Sequence, residues 1–265
     1  MPPLVIVGVS FLNARPLLAG LEAGIAAGFP YLFSVAEPAR CAEALKAGHA
    51  QVGLVPVGAL PELPNVAAYP HLGVAARGET TSVLLVSRVP LPEVRVLAAH
   101  TASRTSVLLA RLLLKARYGV EPRVVPAAPP VEEMLAHADA AVVIGDPALA
   151  LDGTPGLFRL DLAAEWMAWR GKPFVFAVWG LGPGVGAQVL PLLNASYEYA
   201  RDHWEELLPR WSAEHGLALD RTREYLERKL VFSLGEEERS GVAEFLKLAA
   251  AEGLVPPRER GIWYG

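Results

Sequence analysis

One cysteine in 265 residues rules out an internal disulfide and suits a reducing compartment. That residue, Cys41, lies in Arg40-Cys41-Ala42-Glu43-Ala44-Leu45, a helical pattern in which a thiol usually serves as a small apolar side chain. An excess of basic charge is missing too. With 24 Lys and Arg against 28 Asp and Glu the formal net charge is −4, so nothing draws a phosphate backbone and nucleic acid is not an expected partner. Apolar runs such as Val83–Val86 and Leu112–Leu114 stop at Arg or Lys well short of the roughly 18 residues a membrane span needs, so no membrane partner is expected. No basic n-region or long apolar h-region precedes the first strand, and the expected location is the cytoplasm. The six histidines (His49, His71, His100, His137, His203, His215) lack metal-ligand spacing, and only His100, beside a hydroxyl cluster, merits attention. There is neither a Gly-x-Ser-x-Gly elbow nor a Walker loop. In Gly180-Leu-Gly-Pro-Gly-Val-Gly186, Pro183 and Val185 break the dinucleotide-loop spacing, which leaves a flexible connector. No cofactor and no metal are therefore expected.

What the chain does contain is 52% hydrophobic residues, with Val/Ile/Leu runs alternating with Ala/Leu/Glu/Arg-rich segments, the pattern of an α/β fold. Strands are predicted at 4–9, 31–35 and 50–55. A helix starts near Pro16, and a second over 39–47 is stopped by Gly48. That spacing implies right-handed βαβ crossovers and a parallel sheet. Residues 66–87 hold consecutive extended segments, as where a chain leaves one domain for another. The α/β pattern restarts at 94–99 and runs through a helix at 104–117, a strand at 123–125, a helix at 131–137 and a strand at 140–144. The extended run 174–179 would bring the chain back. Beyond Gly186 everything reads as helical (187–208, 220–230, 236–252), with Ser233 as an N-cap before Glu236-Glu237-Glu238. The expectation is two α/β lobes, residues 1–86 with 178–265 forming the first and 87–177 the second, with a ligand cleft between them.

Four polar clusters fall at predicted strand ends or helix starts, where open α/β sheets bind ligands. The first is Ser10, Asn13 and Arg15. Asn13 either orients a ligand hydroxyl or stabilises a developing anion, or it is a turn residue bonded to local backbone. Arg15 either pairs with a carboxylate or covers surface. The second is Thr80-Thr81-Ser82. The third, Thr101-Ala102-Ser103-Arg104-Thr105-Ser106, sets hydroxyls and a guanidinium at a helix mouth, which makes an anion cradle or else an ordinary cap. One cap would account for one hydroxyl, not the three of Ser103, Thr105 and Ser106. The fourth is Gly145-Asp146, where the carboxylate is a site residue or the N-cap of the next helix. Trp166, Trp169 and Trp179 either wall a cleft or pack in the core, and Trp204 with Trp211 read as core.

The blocks Phe11-Leu12-Asn13-Ala14-Arg15-Pro16-Leu17, Val52–Pro56, Ser103–Ser106, Ala140–Asp146 and Gly171–Trp179 resemble, in the same order, those of the menaquinone-pathway chorismate dehydratases. The resemblance implies a type 2 periplasmic-binding-protein fold used as a cytosolic enzyme, a hydro-lyase that converts chorismate to 3-[(1-carboxyvinyl)oxy]benzoate in the futalosine route. It implies Asn13 near the departing hydroxyl. Ser10, Ser82, Ser103, Arg104, Thr105 and Ser106 would serve binding, and either Asp146 or the substrate's own carboxylate would take the proton. Two alternatives stand beside it: a non-catalytic small-carboxylate-binding protein of the same fold, and the dihydroxynaphthoate synthase of the same pathway.

Overall fold

The computed structural model describes residues 2–151, 156–258 and 261–264. In chain order the strands are β1 (Leu4–Val9), β2 (Tyr31–Ala36), β3 (Val52–Pro56), β4 (Ala67–Ala76), β5 (Val83–Ser87), β6 (Val96–His100), β7 (Arg123–Ala127), β8 (Ala140–Ile144), β9 (Phe158–Asp161), β10 (Phe174–Leu181) and β11 (Val231–Ser233). The helices are α1 (Arg15–Glu22), α2 (Pro38–Lys46), α3 (Thr105–Tyr118), α4 (Val131–Ala136), α5 (Asp146–Leu149), α6 (Leu162–Arg170), α7 (Val189–Asp202), α8 (Trp204–Glu214), α9 (Leu219–Glu224) and α10 (Glu236–Ala251).

These elements build two sheets. The first runs β11-β4-β10-β3-β1-β2 and the second β7-β6-β8-β5-β9. The predicted crossovers are present: β1 pairs parallel with both β2 and β3, and β6 with both β7 and β8. The sheets are nonetheless mixed, because β10 pairs antiparallel with both β3 and β4 in the first and β5 with both β8 and β9 in the second. Central strands β3, β5, β8 and β10 are buried throughout, as expected of strands covered on both faces.

The chain passes from first sheet to second over residues 77–82 and returns over 171–173. Sheet membership thus puts β5 in the second lobe and the whole of β10 in the first, a few residues from the expected boundaries at 86/87 and 177/178. Beyond residue 186 the helices expected of the tail are interrupted by β11, and Ser233 belongs to that strand instead of capping α10. Gly235 is the N-cap, and the Glu238 carboxylate accepts its N–H at 2.9 Å.

The C-terminal helices dock on the first lobe through a close contact. A Cβ on Gly20 would sit 2.5 Å from the Ser196 backbone. The buried Ser196 hydroxyl meanwhile accepts the Leu21 N–H and donates to the Leu17 carbonyl, so α1 and α7 touch without stranding polar groups. Trp166 packs edge-on against Phe174 and Phe245, and Trp179 is fully buried, so both belong to the core and not to a ligand wall. Trp211 is fully buried, as expected of core, and packs edge-on against Trp204, which is only partly buried.

Candidate functional site

A cleft opens where the carboxyl ends of the parallel strands in the two sheets face one another. The first lobe lines it with Val9, Phe11, Asn13, Leu54 and Pro56, and β10 adds Phe176. Ser103, Arg104, Thr105, Ser106, Ile144 and Gly145 come from the second lobe. Its walls are mainly apolar with a few polar groups among them, the composition of a small-molecule site. Asn13 and the mouth of α3, far apart in sequence, thus face one space.

Asn13 rides on a single 3-10 turn, Leu12–Ala14, between β1 and α1. That turn is pinned from the opposite lobe: Asp146 Oδ1 accepts the Leu12 N–H at 3.1 Å. Asp146 Oδ2 lies 2.7 Å from His215 Nδ1, and Arg15 Nε donates to His215 Nε2 at 3.2 Å. A guanidinium can only donate, so Nε2 accepts and the ring proton sits on Nδ1, where it donates to Asp146. Arg15 also pairs with Glu22 and Glu214, which makes it a brace behind the turn and takes it out of the cleft.

At the α3 mouth the hydroxyls divide their work. Ser103 Oγ caps the helix by accepting the Ser106 N–H at 3.2 Å. Thr105 Oγ1 accepts from Gly58 N–H and donates to the Phe176 carbonyl, both at 3.0 Å, and so ties the second lobe to the first. Gly58 is required there, since a Cβ would lie 2.9 Å from Thr105 Cα. Arg104 pairs with Glu62 across the cleft rim at 2.5 Å. The Ser106 hydroxyl, the outward face of Ser103 and the positive end of a 14-residue helix remain to meet an anion. His100 is buried at the end of β6, and desolvation pushes its pKa below the usual histidine value.

Ser10 stands at the end of β1, and its N–H bonds the Ala36 carbonyl. It and Ser82 are not among the lining side chains. Ser82 ends the crossing segment and is 1% exposed. Its Oγ accepts from the hydroxyl of Tyr225 at 2.7 Å. The preceding Thr81 has φ = 61°, a left-handed conformation that a β-branched residue rarely adopts. Asp161 holds that turn: Oδ2 accepts from Thr80 N–H, Thr80 Oγ1 and Thr81 N–H at 2.9, 3.1 and 2.7 Å.

Sequence reasoning missed Tyr225, His215 and Asp161. Asp161 had a readable signal, an acid just before an Ala-rich helix. Tyr225 opens a five-residue π-helical segment that has no sequence signature. Among the described residues no group of three or more His, Cys, Asp or Glu is placed to hold a metal. No helix is long and apolar enough to cross a membrane among them.

A family model described as menaquinone biosynthesis matches residues 4–251. Among solved structures, protein AF1704 from Archaeoglobus fulgidus superposes with a TM-score of 0.78 at 15% identity, covering 96% of this chain and 98% of that one. The alkanesulfonate-binding protein SsuA of Xanthomonas axonopodis pv. citri, bound to MOPS, gives 0.66 at 13% identity over 97% and 95%. The periplasmic aliphatic sulphonate binding protein SsuA of Escherichia coli gives 0.61 at 14% identity over 97% and 90%. At such identities the likeness establishes the fold: two α/β lobes of the periplasmic-binding-protein type with a helical C-terminal part.

Proposed function

The chain belongs to this menaquinone biosynthesis family, and from that premise we propose that it is a chorismate dehydratase, converting chorismate to 3-[(1-carboxyvinyl)oxy]benzoate and water. The observation that carries the reading is the cleft itself: Asn13 on one wall, a helix mouth with free hydroxyls on the other, and apolar surface from Phe11, Leu54 and Phe176 between them. Its natural ligand is small, flat and anionic at its edge. Chorismate answers that description, with a ring carboxylate, an enolpyruvyl carboxylate and a cyclohexadiene body.

The reaction needs no redox partner. The C3 proton leaves, its bonding electrons enter the ring, the C4–O bond breaks, and the departing hydroxide takes up a proton as water. The gain is an aromatic ring. Removal of the C3 proton places charge on the ring carboxylate through the conjugated diene, and donors held there lower the barrier. Ser103 and Ser106 with the dipole of α3 supply that stabilisation, and Arg104 adds charge at the rim. Asn13, able to donate and accept, attends the departing hydroxyl. Asp146 faces Leu12 and His215 instead of the cleft, so its part is to hold the Asn13 turn, and the substrate's enolpyruvyl carboxylate takes the C3 proton.

A cytoplasmic place in the futalosine route goes with this reading. The test is to incubate purified protein with chorismate and follow loss of one water by mass spectrometry. The sulphonate-binding proteins of like fold favour a second reading, in which a small organic anion binds without turnover. Calorimetric binding of chorismate with no mass change would select it. Absence of both would point to the later naphthoate-forming enzyme. An Asn13→Ala variant within about threefold of wild-type turnover would remove the role given to Asn13.

A further inference from the structure

The turn that carries Asn13 into the cleft does not hold itself together. Residues Leu12–Ala14 form one 3-10 turn, and Phe11, at its N-cap, offers no side-chain cap. The Leu12 N–H opens that turn and has no carbonyl within it to meet. Asp146 Oδ1 accepts it at 3.1 Å, from the opposite lobe and 134 residues along the chain. The Asp146 side chain is 29% exposed, so it could turn to water unless a further group fixes it.

His215 is that group. It follows α8 as the C-cap of that helix, with its N–H on the Trp211 carbonyl at 3.1 Å, and Trp211 is fully buried, so the backbone here is anchored in the core. The His215 side chain is 8% exposed, and its Nδ1 donates to Asp146 Oδ2 at 2.7 Å. Its Nε2 accepts from Arg15 Nε at 3.2 Å. Arg15 is also the residue that ends the turn, its own N–H on the Leu12 carbonyl. The contacts therefore close a ring, from Leu12 to Asp146, to His215, to Arg15 and back along the chain through Ala14 and Asn13. Both of those last residues line the cleft. Closing the ring takes a group that donates on one side and accepts on the other, which an imidazole with its proton on Nδ1 does.

We propose that His215 is a positioning residue of the cleft: by donating to Asp146 and accepting from Arg15 it holds both ends of the Leu12–Ala14 turn and sets where Asn13 enters the ligand space. One link of the ring belongs to the second lobe, so the turn is fully held only while the two lobes are together. The effect on chorismate rests on the proposed dehydratase reading, whereas the hold on the turn does not.

The experiment compares His215→Asn with His215→Gln. An asparagine carries its carboxamide nitrogen on the same carbon that bears Nδ1 in histidine, so it can still donate to Asp146. A glutamine places that group one carbon further out, toward Arg15. The first readout is deuterium exchange of the Leu12 backbone N–H, followed by NMR. It stays within about threefold of wild type in His215→Asn and becomes about tenfold faster in His215→Gln, while amides of the buried strand β3 keep their rates. The second is chorismate turnover. His215→Gln lowers kcat about tenfold with KM within about threefold, the mark of misplacement and not of lost binding, and His215→Asn recovers kcat to within about threefold of wild type. A merely structural role for the histidine would move both variants alike. Equal Leu12 exchange in the two variants, or a His215→Gln kcat within about twofold of wild type, overturns the proposal. If the wild-type protein leaves chorismate unchanged, the dehydratase reading fails, and Leu12 exchange alone then decides for or against the histidine.

Discussion

Two aspartates of the second lobe stand in like positions and do opposite things. Asp146 follows β8 and Asp161 closes β9, and each adjoins the start of a helix. Asp161 works within reach of its own helix, where Oδ1 accepts the Ala163 and Ala164 N–H groups while Oδ2 holds the Thr80–Thr81 turn. Asp146 makes no such cap; its two oxygens go to Leu12 and His215, both outside its lobe. The difference lies in the local backbone. Helix α6 runs nine residues from an extended Asp161, whereas α5 has four and is entered from Gly145 at φ = 66°. A strand-end carboxylate therefore becomes a cap or a bridge according to which N–H groups its backbone brings near.

The contrast is broken most severely at Asp161. Asp161→Ala leaves the first turn of α6 and the strained Thr80–Thr81 segment without their shared acceptor, which costs about 3 kcal/mol and lowers Tm by roughly 6–12 °C in a thermal melt. A loss below about 1 kcal/mol would show that the five bonds are incidental. Turnover falls with it, because the Ser82 segment loosens.

Next in size is the approach to the other aspartate. Gly145→Ala places a Cβ 2.7 Å from the Phe11 ring and asks an L-residue to hold positive φ, so it forces apart the two lobes where they touch. The expected cost is about 2 kcal/mol in urea unfolding, together with loss of chorismate turnover. Full activity in this variant would mean that contact between Phe11 and Gly145 is no part of the working state.

These residues also show how far the sequence reaches. Strand β8 and its terminal Gly145-Asp146 were legible because a five-residue apolar run ends in a turn signal, and β1 with its following Asn13 turn was legible for the same reason. The two-lobe architecture followed from the alternation of periods. What escaped depended on contacts between distant segments. Asp146 was open between cap and site residue until Leu12 and His215, from outside its lobe, proved to be its partners. The hydroxyls at 103–106 looked equivalent, yet Thr105 is taken up by Gly58 and Phe176. Short strands such as β9 and β11 carry too little periodicity to register, and the tryptophans near residue 170 could not be divided between wall and core by spacing.

A milder change sharpens the comparison at Asp146 itself. Its side chain is 29% exposed, so the bond to His215 is partly screened and Asp146→Asn costs only about 1 kcal/mol in stability. The carboxamide still accepts the Leu12 N–H through its oxygen but loses the charge that orders His215. Turnover falls about tenfold if Asp146 positions the Asn13 turn. Loss of all measurable turnover in a folded variant would make Asp146 the base after all, and unchanged turnover would exclude both roles.

The smallest effect separates the lobes by pH. Cys41, in the first lobe, donates to the Gly8 carbonyl, and burial pushes its thiol up to about 12. His100, in the second, is held below the usual histidine value by burial. The two act on opposite limbs of the stability profile. The unfolded chain ionises the thiol near its ordinary pKa of about 8.5 while the folded chain keeps it protonated, so stability falls as pH rises from there toward 12. The unfolded chain protonates the imidazole below about 6.5 while the folded chain resists, so stability is full above that value and declines as pH falls. Neither group belongs to a bridge between lobes, so each substitution removes one group's share of its limb. In urea midpoints measured from pH 5 to 10, Cys41→Ala flattens the alkaline limb and His100→Asn the acid limb. An acid limb unchanged by His100→Asn would place the acid sensitivity elsewhere.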